Sequence, residues 1–255
     1  MQASICLSTY SKPKYLKRVL ESIARQKPPF DYEVIVVDDG SPDFETESVC
    51  IKAEVQNLRY YRINREPTYR NPAAARNLAY DQSNGEILIL QSDDVVHIGE
   101  AITGLVDLVR DENFVIATVY NVDFDTNQPV YYLGKWFQLT GPRMNRKHSP
   151  NPTRPLFFLG SIYREHVIAI GGCDEDFVDP GREDVWFADC LINGLGLAPH
   201  FTAKVVGHHL DHERPENLKS RMRSSSSLYN EKAKEAWRTG AWRARKGLLS
   251  KAAAP

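Results

Sequence analysis

Cysteine is scarce in this 255-residue chain, and the few residues present form no motif. Cys6, Cys50, Cys173 and Cys190 stand far apart, with no C-x-x-C pair. That excludes a zinc ribbon and a thioredoxin-type redox motif. Cys6 lies inside an apolar stretch and reads as a small buried hydrophobe. Reduced thiols and a cytosolic setting are expected. Glycine-rich phosphate loops are missing too. Neither G-x-G-x-x-G nor G-x-x-x-x-G-K-[ST] occurs, so the two common nucleotide fingerprints are absent. No stretch approaches the roughly 18 apolar residues of a membrane-spanning helix. Met1-Gln2-Ala3-Ser4-Ile5 enters a strand pattern at once, so no signal peptide is expected. Nor does one sign of charge dominate: the formal net charge is -1. Bulk attraction to nucleic acid therefore has no basis here, and no stacking motif supports such contact.

What the chain does have is apolar runs that end in carboxylates. Val34–Val37 leads into Asp38-Asp39-Gly40-Ser41, and Ile87–Leu90 leads into Gln91-Ser92-Asp93-Asp94. Both runs read as strands covered on two faces. Further strands are expected at Ser4–Ser8, Leu58–Ile63, Phe114–Tyr120, Phe157–Ile162 and Ala198–Val206. Pro13 to Gln26 carries Leu16, Val19, Leu20 and Ile23 on one helical face. Helices are also expected at Asp43–Val55, from Asn71-Pro72 to Ser83, and at Glu100–Arg110. Asn71 suits the N-cap and Pro72 the first turn. Arg164–Ile170 should form a short helix ending at Gly171-Gly172, and Glu183–Asn193 another that stops at Gly194. Alternating strands and helices give an α/β fold, a parallel sheet with helices on both faces. Residues 1–213 read as one domain. Gly134–Pro155, with Trp136, Arg143, Arg146 and Lys147, reads as a long loop: a lid, or plain surface. The extension 214–255 is basic and partly helical. From Glu216 onward it holds ten Lys or Arg against three Glu. Docking on the domain, an oligomer contact and a membrane-surface helix all remain open for it.

Carboxylates at the carboxyl ends of buried strands sit where open α/β sheets bind ligands. Asp39 is placed to accept the imide N–H of a pyrimidine; the same segment also suits a simple turn. Asp93 and Asp94 repel each other unless a cation or donor intervenes. Mg2+ or Mn2+ would fill that role and bridge phosphates. Helix capping near Glu100 is the alternative. Glu183-Asp184 opens a helix, which suits either capping or a general base. His208-His209-x-x-His212 offers imidazoles to a mixed N/O metal site, or is a solvated turn.

Taken together, these segments resemble the family-two glycosyltransferases, which have the GT-A fold. The likeness runs from Ser4 to His212. It includes Ser8-Thr9-Tyr10, Glu33–Ser41, Ala74-Ala75-Arg76-Asn77, Asn84–Leu88, Gln91–Asp94, Gly171–Phe177 and Glu183-Asp184. The resemblance implies a mostly parallel, Rossmann-like central sheet and activity on a nucleoside-diphosphate sugar, UDP being the expected nucleotide. It assigns Thr9, Tyr10, Asp39, Arg76 and Asp93 to the nucleotide. It assigns Asp93, Asp94 and a histidine to Mn2+ or Mg2+, His208 ranking ahead of His209 and His212. Asp184, with Glu183, inherits the base of an inverting hexosyltransferase-type reaction. The acceptor is a glycan, a lipid-linked molecule or another hydroxyl compound. The location is cytoplasmic, with peripheral membrane contact through the tail as an option. Gln91 stands where the family usually has an aspartate. That departure supports an alternative, a catalytically inactive nucleotide-sugar or glycan binding protein. A nucleotidyltransferase would need a glycine-rich basic loop after the first strand, which Ser8-Thr9-Tyr10-Ser11-Lys12 does not resemble.

Overall fold

The computed structural model describes residues 1–68, 70–132, 134–142, 155–213 and 218–248. The chain runs β1 (Ala3–Thr9), α1 (Pro13–Ala24), β2 (Tyr32–Asp38), α2 (Glu45–Lys52), β3 (Leu58–Arg62) and α3 (Ala73–Asp81). It continues through β4 (Ile87–Ser92), β5 (Val95–Ile98), α4 (Ala101–Leu108), β6 (Asn113–Val122), β7 (Tyr131–Tyr132), β8 (Lys135–Trp136) and β9 (Gln138–Thr140). It closes with β10 (Leu159–Tyr163), α5 (Arg164–Ala169), α6 (Glu183–Asp189), β11 (Ala198–Leu210) and α7 (Leu218–Thr239).

One sheet takes the order β3-β2-β1-β4-β10-β6-β11-β5, with β9 alongside β6. Its first half is parallel, as the βα alternation predicts. The second half is mixed. β10 runs antiparallel to both β4 and β6, and β5 antiparallel to β11, while β6 and β11 are parallel. Successive residues of β1 face opposite cores. Ile5 and Leu7 join Leu16, Leu20, Val34, Ile89 and Ile102 on the face covered by α1 and α4. Cys6 joins Ile35, Val37, Leu88, Ala75 and Phe187 on the other, under α3 and α6. A strand buried on both faces shows a continuous apolar run rather than alternation, which is why β1, β2 and β4 were legible. All four cysteines are free and buried. Burial pushes the Cys6 thiol far up, so it is inert packing.

The departures from expectation are local. β5 is only four residues long, too short to show a period. Because it intervenes, Asp93 and Asp94 do not cap α4; Glu100 precedes that helix. The stretch read as a loop from Gly134 contains β8 and β9, and residues 143–154, with Arg143, Arg146 and Lys147, lie outside the described part. α3 starts one residue late, yet Asn71 Oδ1 still accepts the Ala73 N–H at 2.9 Å. α6 ends at Asp189 and widens into a π-helical turn over Cys190–Gly194. The histidine pair lies within β11, not beyond it.

The tail helix docks on the domain. Ala236 and Trp242 enter the core beside Trp186 and Phe187. Lys232, only 1% exposed, reaches Asp174 Oδ2 at 2.8 Å and Asp176 Oδ2 at 2.7 Å. Following residues lace onto the same loop: Glu175 N–H donates to Lys246 O at 2.7 Å and Leu248 N–H to Gly171 O at 2.9 Å. Gly172 sits at φ +74°, and a Cβ there would fall 2.4 Å from Asn77 Oδ1, so only glycine fits. Among the described residues no helix is long and apolar enough to cross a membrane.

Lys232 is the sole cation within ion-pair reach of the buried Asp174 carboxylate among the described residues. Lys232→Met should therefore cost about 3–5 kcal/mol, the penalty for stranding a buried charge. Urea unfolding measures it, and a loss below about 1 kcal/mol would show that the pair does not anchor the tail.

Candidate active site

The parallel strands deliver their carboxyl ends to one edge of the sheet, and a cleft of about 290 Å³ opens there. Thr9 and Tyr10 from the end of β1, Asp39 from β2, and Asp93 and Asp94 from β4 line it, opposite Arg76, Glu183 and Asp184. Residues separated by most of the chain thus share one pocket. The expected turn and the expected ligand group at Asp38-Asp39 are divided between the two residues. Asp38 is fully buried and accepts from the Ser41 N–H at 2.8 Å and the Tyr60 hydroxyl at 3.0 Å, so it shapes the turn. Gly40, at φ +81°, lets the chain reverse there. Asp39 faces the cleft and pairs with Arg65, a residue that the sequence did not single out.

Asp93 and Asp94 occupy the sharp turn between β4 and β5. Gln91 braces that turn. Its Nε2 donates to Val95 O at 2.6 Å, and its Oε1 lies 2.8 Å from the buried His97 Nε2. The residue that departs from the family pattern therefore ties the two strands together and holds the carboxylates in place. Around Asp94 three further groups gather. Lys12 Nζ lies 2.5 Å from Oδ2, His212 Nε2 lies 3.2 Å from Oδ2, and His209 Nε2 lies 3.5 Å from Oδ1. Burial alone would raise the Asp94 carboxyl, but Lys12, His212 and His209 hold it well below the usual carboxylate range. Asp93 goes the other way: burial raises it, and Lys12, 3.6 Å off, only partly offsets this. Burial pushes His209 down, while the hydrogen bond to Asp94 lifts His212.

Asp94, His209 and His212 place one ligand atom each within 4.8 Å of one another. A carboxylate with two imidazoles suits Mn2+. Asp94 Oδ1 is buried and accepts no hydrogen bond among the described residues, which suits a cation ligand. Asn121 Oδ1 meets His209 Nδ1 at 2.7 Å and so orients the ring, as outer partners of metal ligands do. Of the expected set Asp93, Asp94 and His208, only Asp94 belongs to this cluster. His208 is displaced by strand geometry. Neighbours in β11 face opposite ways, and His208 stands against Trp136, ring centroids 5.4 Å apart. Spacing alone could not choose among three histidines in five residues; the register of β11 does.

Glu183 and Asp184 open α6. Arg182, just before them, takes φ +70°, an uncommon left-handed conformation for a non-glycine residue. The tail secures it: Arg182 Nε reaches Ser226 Oγ at 3.3 Å, and its guanidinium lies over the Tyr229 ring at 5.7 Å. Arg221 pairs with Asp179 at 2.7 Å, and Ser225 donates to Asp179 O at 2.8 Å. On the far side Asn77 joins α3 to Cys173 through both its amide atoms, at 2.9 and 2.8 Å. Neither Asn77 nor these tail contacts left a signal in the sequence beyond a motif match and a run of serines. Burial first, and then the Asp184 charge, push the Glu183 carboxyl up to about 7 against the pull of Arg76, 3.9 Å away.

The glycosyl transferase family 2 profile matches residues 4–168. A poly(ribitol-phosphate) beta-N-acetylglucosaminyltransferase, TarS of Staphylococcus aureus, is 34% identical over 99 residues, covering 38% of this chain and 17% of its own length. The chain thus aligns with about a sixth of that relative. Among solved structures, the mannosyltransferase PcManGT of Pyrobaculum calidifontis, in complex with GDP-Man and Mn2+, superposes with a TM-score of 0.63 at 17% identity. That match covers 92% of this chain and 64% of the other. Residues 1–349 of S. aureus TarS in complex with UDP-GlcNAc give a TM-score of 0.57 at 19% identity, over 89% and 66% of the two chains. The curled mixed sheet with helices on both faces is the GT-A fold of these enzymes.

The raised Glu183 pKa has a thermodynamic consequence. Between its ordinary value of 4.5 and about 7 the unfolded chain releases a proton that the folded protein keeps. Stability therefore falls as pH rises through that window. Glu183→Gln removes the penalty. At pH 8 the variant should be more stable by about 1–3 kcal/mol, with no gain at pH 4.5. Paired thermal melts at the two pH values test this, and a gain at both would remove proton linkage as its cause.

Proposed function

The chain belongs to glycosyl transferase family 2, and from that premise we propose an inverting, metal-dependent transferase that moves a sugar from a nucleoside diphosphate to an acceptor hydroxyl. The observation that carries this reading is the convergence of Asp39, Asp93, Asp94, Arg76, Glu183 and Asp184 on one cleft. Thr9, Tyr10 and Asp39 flank the base, Asp93 the ribose, and Arg76 the diphosphate side. UDP is the donor favoured by Asp39, whose carboxylate accepts the uracil imide N–H once Arg65 yields it. The UDP-GlcNAc held by TarS supports that choice, while the GDP-Man held by PcManGT shows that relatives of this fold accept another base.

Asp94, His209 and His212 would hold Mn2+ or Mg2+, with Asp93 beside them. Bound there, the ion supplies charge neutralisation for the departing diphosphate. The chain's own work lies at α6. Of the two adjacent acids, Glu183 is the one whose proton affinity burial raises. Buried Glu183 retains its proton up to about 7, which limits the negative charge beside Asp184. Asp184, less buried and also at the cleft, takes the proton from the acceptor hydroxyl as it attacks the anomeric carbon. Attack in line with the leaving group inverts that carbon. The acceptor is a glycan, a lipid-linked molecule or another hydroxyl compound. The alternative, a catalytically inactive nucleotide-sugar or glycan binding protein, rests on Gln91, whose side chain is engaged with Val95 O and His97 Nε2.

Asp184→Asn should lower kcat by roughly 10²- to 10⁴-fold, the usual worth of a general base, with the donor dissociation constant nearly unchanged. Steady-state transfer from UDP-sugars with Mn2+, calorimetric donor binding and NMR of the product anomer check this together. A retained anomer, or a large loss of donor affinity, would take the base role from Asp184.

A further inference from the structure

Lys12 stands where the cation belongs. Its Nζ lies 2.5 Å from Asp94 Oδ2, 3.1 Å from His212 Nε2 and 3.6 Å from Asp93 Oδ1. Two of these three residues are in the Asp94–His209–His212 cluster. A hard divalent ion bound there would sit roughly 2.1 Å from its ligand atoms. An ammonium already against Asp94 fills the same volume, and two cations in contact inside a partly dry pocket repel strongly. Asp94, for its part, is 5% exposed and needs a positive partner at all times. Lysine and metal are thus alternative occupants of one position.

We propose that Lys12 is a resident counter-ion which the divalent cation displaces, so that this side chain sets the metal affinity of the site and couples it to the donor. The geometry gives the ammonium somewhere to go. Lys12 precedes α1, its side chain is 24% exposed, and it lines the cleft itself. Its flexible four-carbon stem swings a charge more readily than a planar guanidinium would. Resting on the reading that the cleft takes a nucleoside diphosphate, the displaced ammonium finds the diphosphate as its new partner. Metal and nucleotide then strengthen each other's binding reciprocally, through one movable charge.

Mn2+ titration followed by electron paramagnetic resonance tests this on the full chain, without acceptor, first without and then with UDP. Lys12→Met should bind Mn2+ on the order of tenfold more tightly than the parent when nucleotide is absent. UDP should tighten Mn2+ binding in the parent and do so much less in Lys12→Met. Asp94→Asn and His209→Ala should abolish the tight site in either background. Lys12→Gln, with thermal melts of every variant, guards against a folding defect. Equal or weaker Mn2+ binding by both Lys12 variants overturns the proposal, as does parent-like binding by Asp94→Asn. These titrations need no transfer, so they stand if the chain proves inactive; conversely, an active enzyme whose Lys12 variants bind Mn2+ like the parent would sink this inference alone.

Discussion

Negative charge held out of water at one edge of the sheet is the constraint around which this molecule is arranged. Asp38, Asp39, Asp93, Asp94 and Glu183 are all buried there. An isolated ionised carboxylate in such a place is very costly, so it either finds a cation or keeps its proton. Both solutions occur. Asp38 has Arg62, Asp39 has Arg65, Asp94 has Lys12 and two histidines, and Glu183 combines Arg76 with a retained proton. Most of these cations are supplied by neighbouring strands and loops of the same sheet edge. The pocket is therefore electrostatically complete before any ligand arrives, and a ligand carrying its own cation must rearrange it.

The tail belongs to the same logic. Asp174 lies on the loop that Asn77 fastens to α3, next to Arg76 in the chain. Lys232 enters that buried spot from α7, and the segment after α7 adds backbone bonds to the loop. The preceding turns of α7 steady the turn that presents Glu183 and Asp184. A carboxyl-terminal extension that looks like an appendage thus supports both walls of the cleft. On α7, Trp237 stays 71% exposed while its neighbour Ala236 is buried, so the helix turns only part of its apolar surface inward.

Much of this arrangement was legible from residues alone where a pattern repeats over a sufficient length. β1, β2 and β4 announced themselves as apolar runs, and α1 by its stripe of Leu16, Val19, Leu20 and Ile23. Asp39, Asp93 and Asp94 were readable because a strand buried on both faces has few reasons to end in acids. β5 was invisible at four residues, and β8 and β9 were lost in a polar, proline-containing stretch. Lys12 and Arg65 gave no warning, and Asn77 showed only as part of a motif match. A lone basic or amide residue carries no period, and its significance lies in partners 82, 26 or 96 positions away.

What the sequence by itself determined is periodic and local: which segments form strands and helices, which faces are apolar, where the strands stop, and which acids stand at their ends. These follow from short-range sterics and from the need to bury alternate or successive apolar groups. Tertiary structure alone decided the charge partners and the choice among histidines. Whether His208 or His209 faces Asp94 depends on how β11 registers against β6 and β5, and a shift of one residue would exchange the two. Register is a property of the assembled sheet, because hydrogen bonds between strands distant in the chain have no counterpart in any single stretch of it.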